Sequence, residues 1–263
     1  MKRFVGIILV VSVCLVSLST SAQAQTSYEV PVGGIALIGF DFDNDKLSFV
    51  CLVPIPAGTD VLITDNGWIS ETSGFRTDEG VNLWEPSIDC QVGDVIVIDV
   101  GQLAQYSGDM ILSSSGDQIF IYQSINDTPH FIFGLNSEEA TGTWQDICNS
   151  TANSTLPSAL DNLNPSPEIA FVEKDSGIYT GKRDFNTTTE ALAAISNSSN
   201  WTTDDSPLVI PTTPFSFTTT AVHLSEFSAE TEGETAPWWM IAGLVAIPVL
   251  VMVVKRPKRE CCK

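Results

Sequence analysis

The side chains best placed for chemistry are carboxylates. Asp41-x-Asp43-Asn44-Asp45 puts hard oxygen ligands at alternate positions, the arrangement a Ca²⁺ loop uses. An EF-hand is excluded, because Lys46 stands where that loop needs Gly and Leu52 where it needs the bidentate Glu. What remains is a loop site of another kind built on Asp41, Asp43 and Asp45, with Asp65 as a candidate further ligand, set against a polar turn between two strands. Asp65-Asn66-Gly67 is first a turn, since Asn and Gly tolerate positive φ and the Asp carboxylate can cap backbone N–H groups. Arg76 is expected to pair with an acidic neighbour such as Glu79. Trp68, Trp84 and Trp144 are candidates for an aromatic platform under a glycan, against the commoner use of Trp in a core. Catalysis has little to draw on. There is no G-x-S-x-G, no H-E-x-x-H and no P-loop, and His130 and His223 are the only histidines. The expectation is a protein without enzymatic activity and without a cofactor, calcium apart.

Zinc is disfavoured, because Cys51, Cys90, Cys148 and one His lack paired ligand spacing. Those three cysteines read instead as one bridge and one spare thiol in an exported chain. Cys51 falls on an expected strand, whereas Cys90 and Cys148 fall in loops, and a Cys90–Cys148 link is the expectation. Six Asn-x-Ser/Thr sequons, at Asn126, Asn149, Asn153, Asn186, Asn197 and Asn200, are glycosylation candidates and mark surface loops.

Export follows from both ends of the sequence. Lys2 and Arg3 precede an apolar run over residues 4–18, and Ala22-Gln23-Ala24 is an A-x-A cleavage pattern, so residues 1–24 read as a signal peptide. A second apolar run, residues 237–254, opens with Trp238 and Trp239 and is followed by Lys255, Arg256, Lys258 and Arg259. It reads as a single transmembrane helix, with a basic cytoplasmic tail at 255–263. Of the 12 basic residues only five lie between these ends, against 31 of the 32 acidic ones, so the exported part carries −26. Such a surface repels nucleic acid and suits divalent cations, cationic partners or simple solubility.

Between the ends, short β-branched runs recur: residues 35–40, 47–53, 61–63, 95–98, 119–122, 131–133, 169–172 and 208–210. Turn chemistry separates them, as at Asp43-Asn44-Asp45, Pro56-Ala57-Gly58 and Ser115-Gly116-Asp117. Short strands with frequent turns predict an all-β chain, an antiparallel β-sandwich, over residues 25–215. One helix is expected, where Thr187-x-x-Glu190 forms a capping box before Ala191-Leu192-Ala193-Ala194-Ile195. Residues 216–236, rich in Thr, Ser and Glu, read as a stalk or a final strand leading to the membrane.

The segments Thr64-Asp65-Asn66-Gly67-Trp68, Gly74-Phe75-Arg76, Glu79-Gly80 and Ser115-Gly116-Asp117-Gln118 together form a pattern. With Tyr179-Thr180-Gly181-Lys182-Arg183 and Asn200-Trp201, residues 35–201 resemble an extracellular β-domain of bacterial surface proteins. That domain accompanies lamin-tail-like or secreted-nuclease modules. The resemblance implies an immunoglobulin-like or lamin-tail-like sandwich and no catalytic residues. The expected function is a membrane-anchored cell-surface protein, its domain outside, serving adhesion, envelope structure or binding of a surface glycan or envelope protein. The alternative is a carbohydrate- or calcium-binding receptor module working with secreted hydrolases.

Overall fold

The computed structural model describes residues 28–139, 141–151 and 153–218. The segments expected as signal peptide (1–24), transmembrane helix (237–254) and basic tail (255–263), and nearly all of the 216–236 segment, lie outside the described residues. Fifteen strands are described. In chain order they are β1 Ile35–Asp41, β2 Lys46–Cys51, β3 Val61–Thr64, β4 Trp68–Ser70, β5 Gly74–Phe75, β6 Val81–Trp84, β7 Val95–Asp99 and β8 Ala104–Ser107. There follow β9 Gln118–Ile125, β10 Thr128–Glu139, β11 Glu168–Val172, β12 Ser176–Tyr179, β13 Asp184–Phe185, β14 Trp201–Asp204 and β15 Ser216–Phe217. Two helices accompany them, α1 Ser158–Asp161 and α2 Thr188–Ile195.

The strands form a five-stranded sheet, β14-β12-β1-β2-β7, and a six-stranded sheet, β11-β10-β9-β3-β6-β8. Side chains from both fill one core. Phe49 of β2 meets Trp84 of β6 edge-on at 4.8 Å, and Phe40 of β1 lies 5.8 Å from Phe171 of β11. Such aromatic pairs add roughly 0.5–1.5 kcal/mol beyond the area they bury. The chain is thus all-β in class. The pairing is antiparallel except at β10–β11 and in the small β13–β15 pair, which are parallel.

Both sheets are covered on their outer faces too, which explains why the strand sequences run continuously apolar instead of alternating. In β9, Ile119 and Ile121 join the central core, while Phe120 and Tyr122 face outward into a second cluster with Leu62, Trp68, Phe131 and Leu160. The β4–β5 hairpin forms the lid of that cluster, with Trp68 4.9 Å from Phe131 and Phe75 5.1 Å from Tyr122. Over the other sheet runs the segment around Leu208–Pro211. Leu208 N donates to Ser176 Oγ at 3.0 Å and Ser48 Oγ to Pro211 O at 3.2 Å. This corrects the expectation of a strand at 208–210. Prolines at 207, 211 and 214 deny the segment regular ladder donors, so it covers a sheet face instead of pairing with an edge.

The expected helix is present as α2. Thr187 Oγ1 accepts from Glu190 N at 3.1 Å, and Glu190 Oε2 reaches back to Asn186 N at 3.0 Å. A disulfide joins Cys51 to Cys90, which corrects the Cys90–Cys148 expectation. The chain after Trp84 folds back along the end of β2. Ile55 and Cys90 exchange backbone hydrogen bonds, Gly93 N donates to Cys51 O, and the two cysteine Cα atoms come within 6.4 Å. Cys148 is a buried free thiol in another loop, against Gly67.

Candidate functional site: a carboxylate cluster that ties the loops together

The polar residues of the Thr-Asp-Asn-Gly-Trp segment meet those of Glu79-Gly80 and Asp117-Gln118 where β3 ends and β9 begins. Thr64 Oγ1 donates to Gly80 O at 2.6 Å, and Asn66 Nδ2 donates to the same oxygen at 2.9 Å. Asp65 Oδ1 accepts from Gly80 N at 2.9 Å. Gly80 has no alternative here, because a Cβ at that position would run into the backbone at Met110.

Three carboxylates then grip three successive amides of the loop between β8 and β9. Asp65 Oδ2 accepts from Ile111 N at 3.1 Å, Asp45 Oδ1 from Leu112 N at 3.1 Å, and Asp117 Oδ2 from Ser113 N at 2.9 Å. All three bonds go to main-chain N–H groups, so this loop is fastened through its backbone whatever its side chains.

Asp65 and Asp117 are each 1% exposed, and Glu79 is partly buried beside them. Burial raises the Asp65 carboxyl to about 6, against the N–H groups of Gly80 and Ile111, with the Asp45 charge adding to the rise. Glu79 is pushed up to about 8 by burial and by the charges of Asp65 and Asp78. Asp117 is raised well above its ordinary value, again chiefly by burial and then by Asp65. The Arg76 charge offsets only part of the rise at Glu79. The acidic neighbour Arg76 pairs with is Asp78, in bidentate fashion with Nε 2.9 Å from Oδ1, in place of Glu79. The carboxyls of Asp65 and Asp117 are buried, and each accepts backbone N–H groups that hold the loops in place.

The Asp41, Asp43 and Asp45 carboxylates do not converge. Asp41 accepts from Asn44 N at 3.2 Å and from its Nδ2 at 2.9 Å, Asp43 is exposed on a 3₁₀ turn, and Asp45 turns to Leu112. Among the described residues no group of three or more His, Cys, Asp or Glu side chains is placed to hold a metal ion. The tryptophans form no exposed platform. Trp68 and Trp84 are buried in the two clusters, and Trp144 Nε1 donates to Glu168 at 2.7 Å. His130 Nε2 lies 3.0 Å from Val30 O. Of the sequons, Asn126, Asn149, Asn186 and Asn197 are exposed. Asn153 and Asn200 are partly buried, with side-chain nitrogens bonded to Asn149 Oδ1 and Ala194 O.

Sequence reasoning passed over a cavity of about 190 Å³ on the outer side of the six-stranded sheet, lined by Tyr28, Glu29, Asp60, Tyr106 and Gln123. Tyr106 is 60% exposed at its mouth. Gln123 closes its floor, accepting from Val30 N at 2.7 Å and donating to Asp60 O at 2.8 Å. No sequence signal marks it, since its residues come from five separated segments. The carboxylate cluster had a signal, because Glu79, Asp117 and Gln118 all fall inside the quoted pattern. No family model matches the chain, and neither a curated protein nor a solved structure does.

Proposed function

We propose that the chain is a membrane-anchored cell-surface protein whose outward β-domain, of immunoglobulin-like or lamin-tail-like type, binds a partner in the envelope without catalysing a reaction. The observation that carries this reading is the structural use of three loop carboxylates. Asp45, Asp65 and Asp117 hold backbone amides of one loop, an architectural role that presents a firm surface. The signal-type start, the 237–254 apolar run with its basic flank and the charge of −26 on the intervening chain support display outside the cell. Exposed Ile88 and Ile111, 77% and 70% accessible on an acidic surface, offer apolar contact for such a partner. Crosslinking on intact cells with a membrane-impermeant reagent tests the reading. One discrete adduct, reduced in Ile88→Asp or Ile111→Asp, is expected, and recovery of the chain without adduct would contradict it.

A second reading is favoured by the Tyr28–Tyr106 cavity, in which aromatic faces stand beside Glu29 and Asp60 as a sugar would require. A glycan array probed with the full chain should then show binding that Tyr106→Ala abolishes.

A further inference from the structure

Gln118 opens β9 with its side chain fully buried. Four oxygens surround its amide nitrogen: Asp65 O at close range, Asp117 Oδ1 and Thr151 O at 3.3 Å, and Glu79 Oε2 at 3.5 Å. A primary amide has two N–H donors and cannot satisfy four acceptors, two of them carboxylate oxygens. Its own Oε1 meanwhile has no hydrogen-bond partner among the described residues, although buried acceptors are almost always paired. The two anomalies sit on one group. A half turn of the amide exchanges nitrogen for oxygen with little change of shape. A cation at the centre would then face two carboxylates, two main-chain carbonyls and one amide oxygen.

We propose that Glu79, Asp117, Gln118 and the carbonyl oxygens of Asp65 and Thr151 form a calcium site. The donor set is all hard oxygen, which suits Ca²⁺ and offers none of the nitrogen or sulfur that zinc and the later transition metals prefer. Its members come from four loops and one strand end, a yielding frame that tolerates the irregular geometry of Ca²⁺. Mg²⁺ would have to shed tightly held water and find a near-ideal octahedron. Two carboxylates balance the charge of the ion, and their burial beside Asp65 makes that balance valuable. With only two acidic side chains, the site differs in kind from a cluster of three or more carboxylates. It is also separate from the Asp41–Asp45 turn. This inference is independent of what the domain binds and survives failure of the partner-binding reading.

The test is titration of the purified full-length chain after treatment with EDTA, followed by calorimetry and by thermal melting. One Ca²⁺ per chain is expected, with Kd on the order of 10⁻⁴–10⁻³ M as in extracellular modules, Mg²⁺ binding at least tenfold more weakly. Saturating Ca²⁺ should raise the melting temperature by several degrees over EDTA. Glu79→Gln should weaken Ca²⁺ at least tenfold while melting in EDTA no lower than the wild type, because an amide of the same shape replaces the carboxyl. Asp43→Asn should bind as the wild type does. Wild-type chain that takes up no Ca²⁺ and melts alike in EDTA, Mg²⁺ and Ca²⁺ overturns the proposal. So does undiminished affinity in Glu79→Gln.

Discussion

Asp65, Glu79 and Asp117 hold their protons to higher pH in the folded chain than carboxyls do in water, and stability must follow. For a raised folded-state value the contribution is complete below the unfolded value. It is lost as pH rises through the folded one, about 6 for Asp65 and about 8 for Glu79. In EDTA the melting temperature should therefore fall as pH goes from 5 to 8.5, and Glu79→Gln should flatten the upper part of that fall. A melting temperature that is constant or climbs over this range would refute the electrostatic account. The cysteines make a second prediction at this scale. Cys51→Ala should cost about 2–4 kcal/mol by loop entropy, whereas Cys148→Ala should keep the bridge and lose far less. Peptide mapping under non-reducing conditions and urea melts check both. Residue identities alone could announce carboxylates, thiols and tryptophans. They could not say that Cys90 would fold back to β2, because that choice depends on how distant loops meet.

Elements with strong local signals were legible and weakly marked ones were not. The capping box at Thr187 is satisfied within five residues of chain, so the sequence contains the whole cause of the start of α2. Thr187→Ala should cost about 1 kcal/mol, measurable by chemical denaturation. The apolar runs marked β1, β2, β3, β7, β9, β10 and β11, most plainly in the central strands β1, β2, β3 and β9, where both faces are covered and nearly every position is apolar and buried. Strands β4, β5, β8 and β12 to β15 are short and carry polar or small residues, and neighbours alone hold them in place. The run at 208–210 shows the converse, apolar for covering a sheet and not for joining one. Glycines divide the same way. Gly74 has φ +76° with nothing within 4 Å of a Cβ, so Gly74→Ala should cost about 1 kcal/mol of backbone strain. Gly80 has no room beside Met110, so Gly80→Ala should be the more damaging, and equal losses for the two would mean that the loop contact is not firm.

At the scale of the molecule, composition and turn spacing made the all-β class legible. The parallel β10–β11 and β13–β15 pairs and the covering of both outer faces were not, because they follow from long-range return of the chain. The proposed placement has a direct physical consequence in the lysines. Lys46, Lys174 and Lys182 are the only lysines between residues 25 and 236, and Lys46 and Lys182 are exposed on the domain. Lys255, Lys258 and Lys263 follow the apolar run. The measurement is amine labelling of intact cells with a membrane-impermeant ester, read by mass spectrometry before and after lysis. The account predicts that Lys46 and Lys182 are modified on intact cells and that Lys255, Lys258 and Lys263 react only once the membrane is broken. Labelled tail lysines beside a protected Lys46 and Lys182 would contradict it.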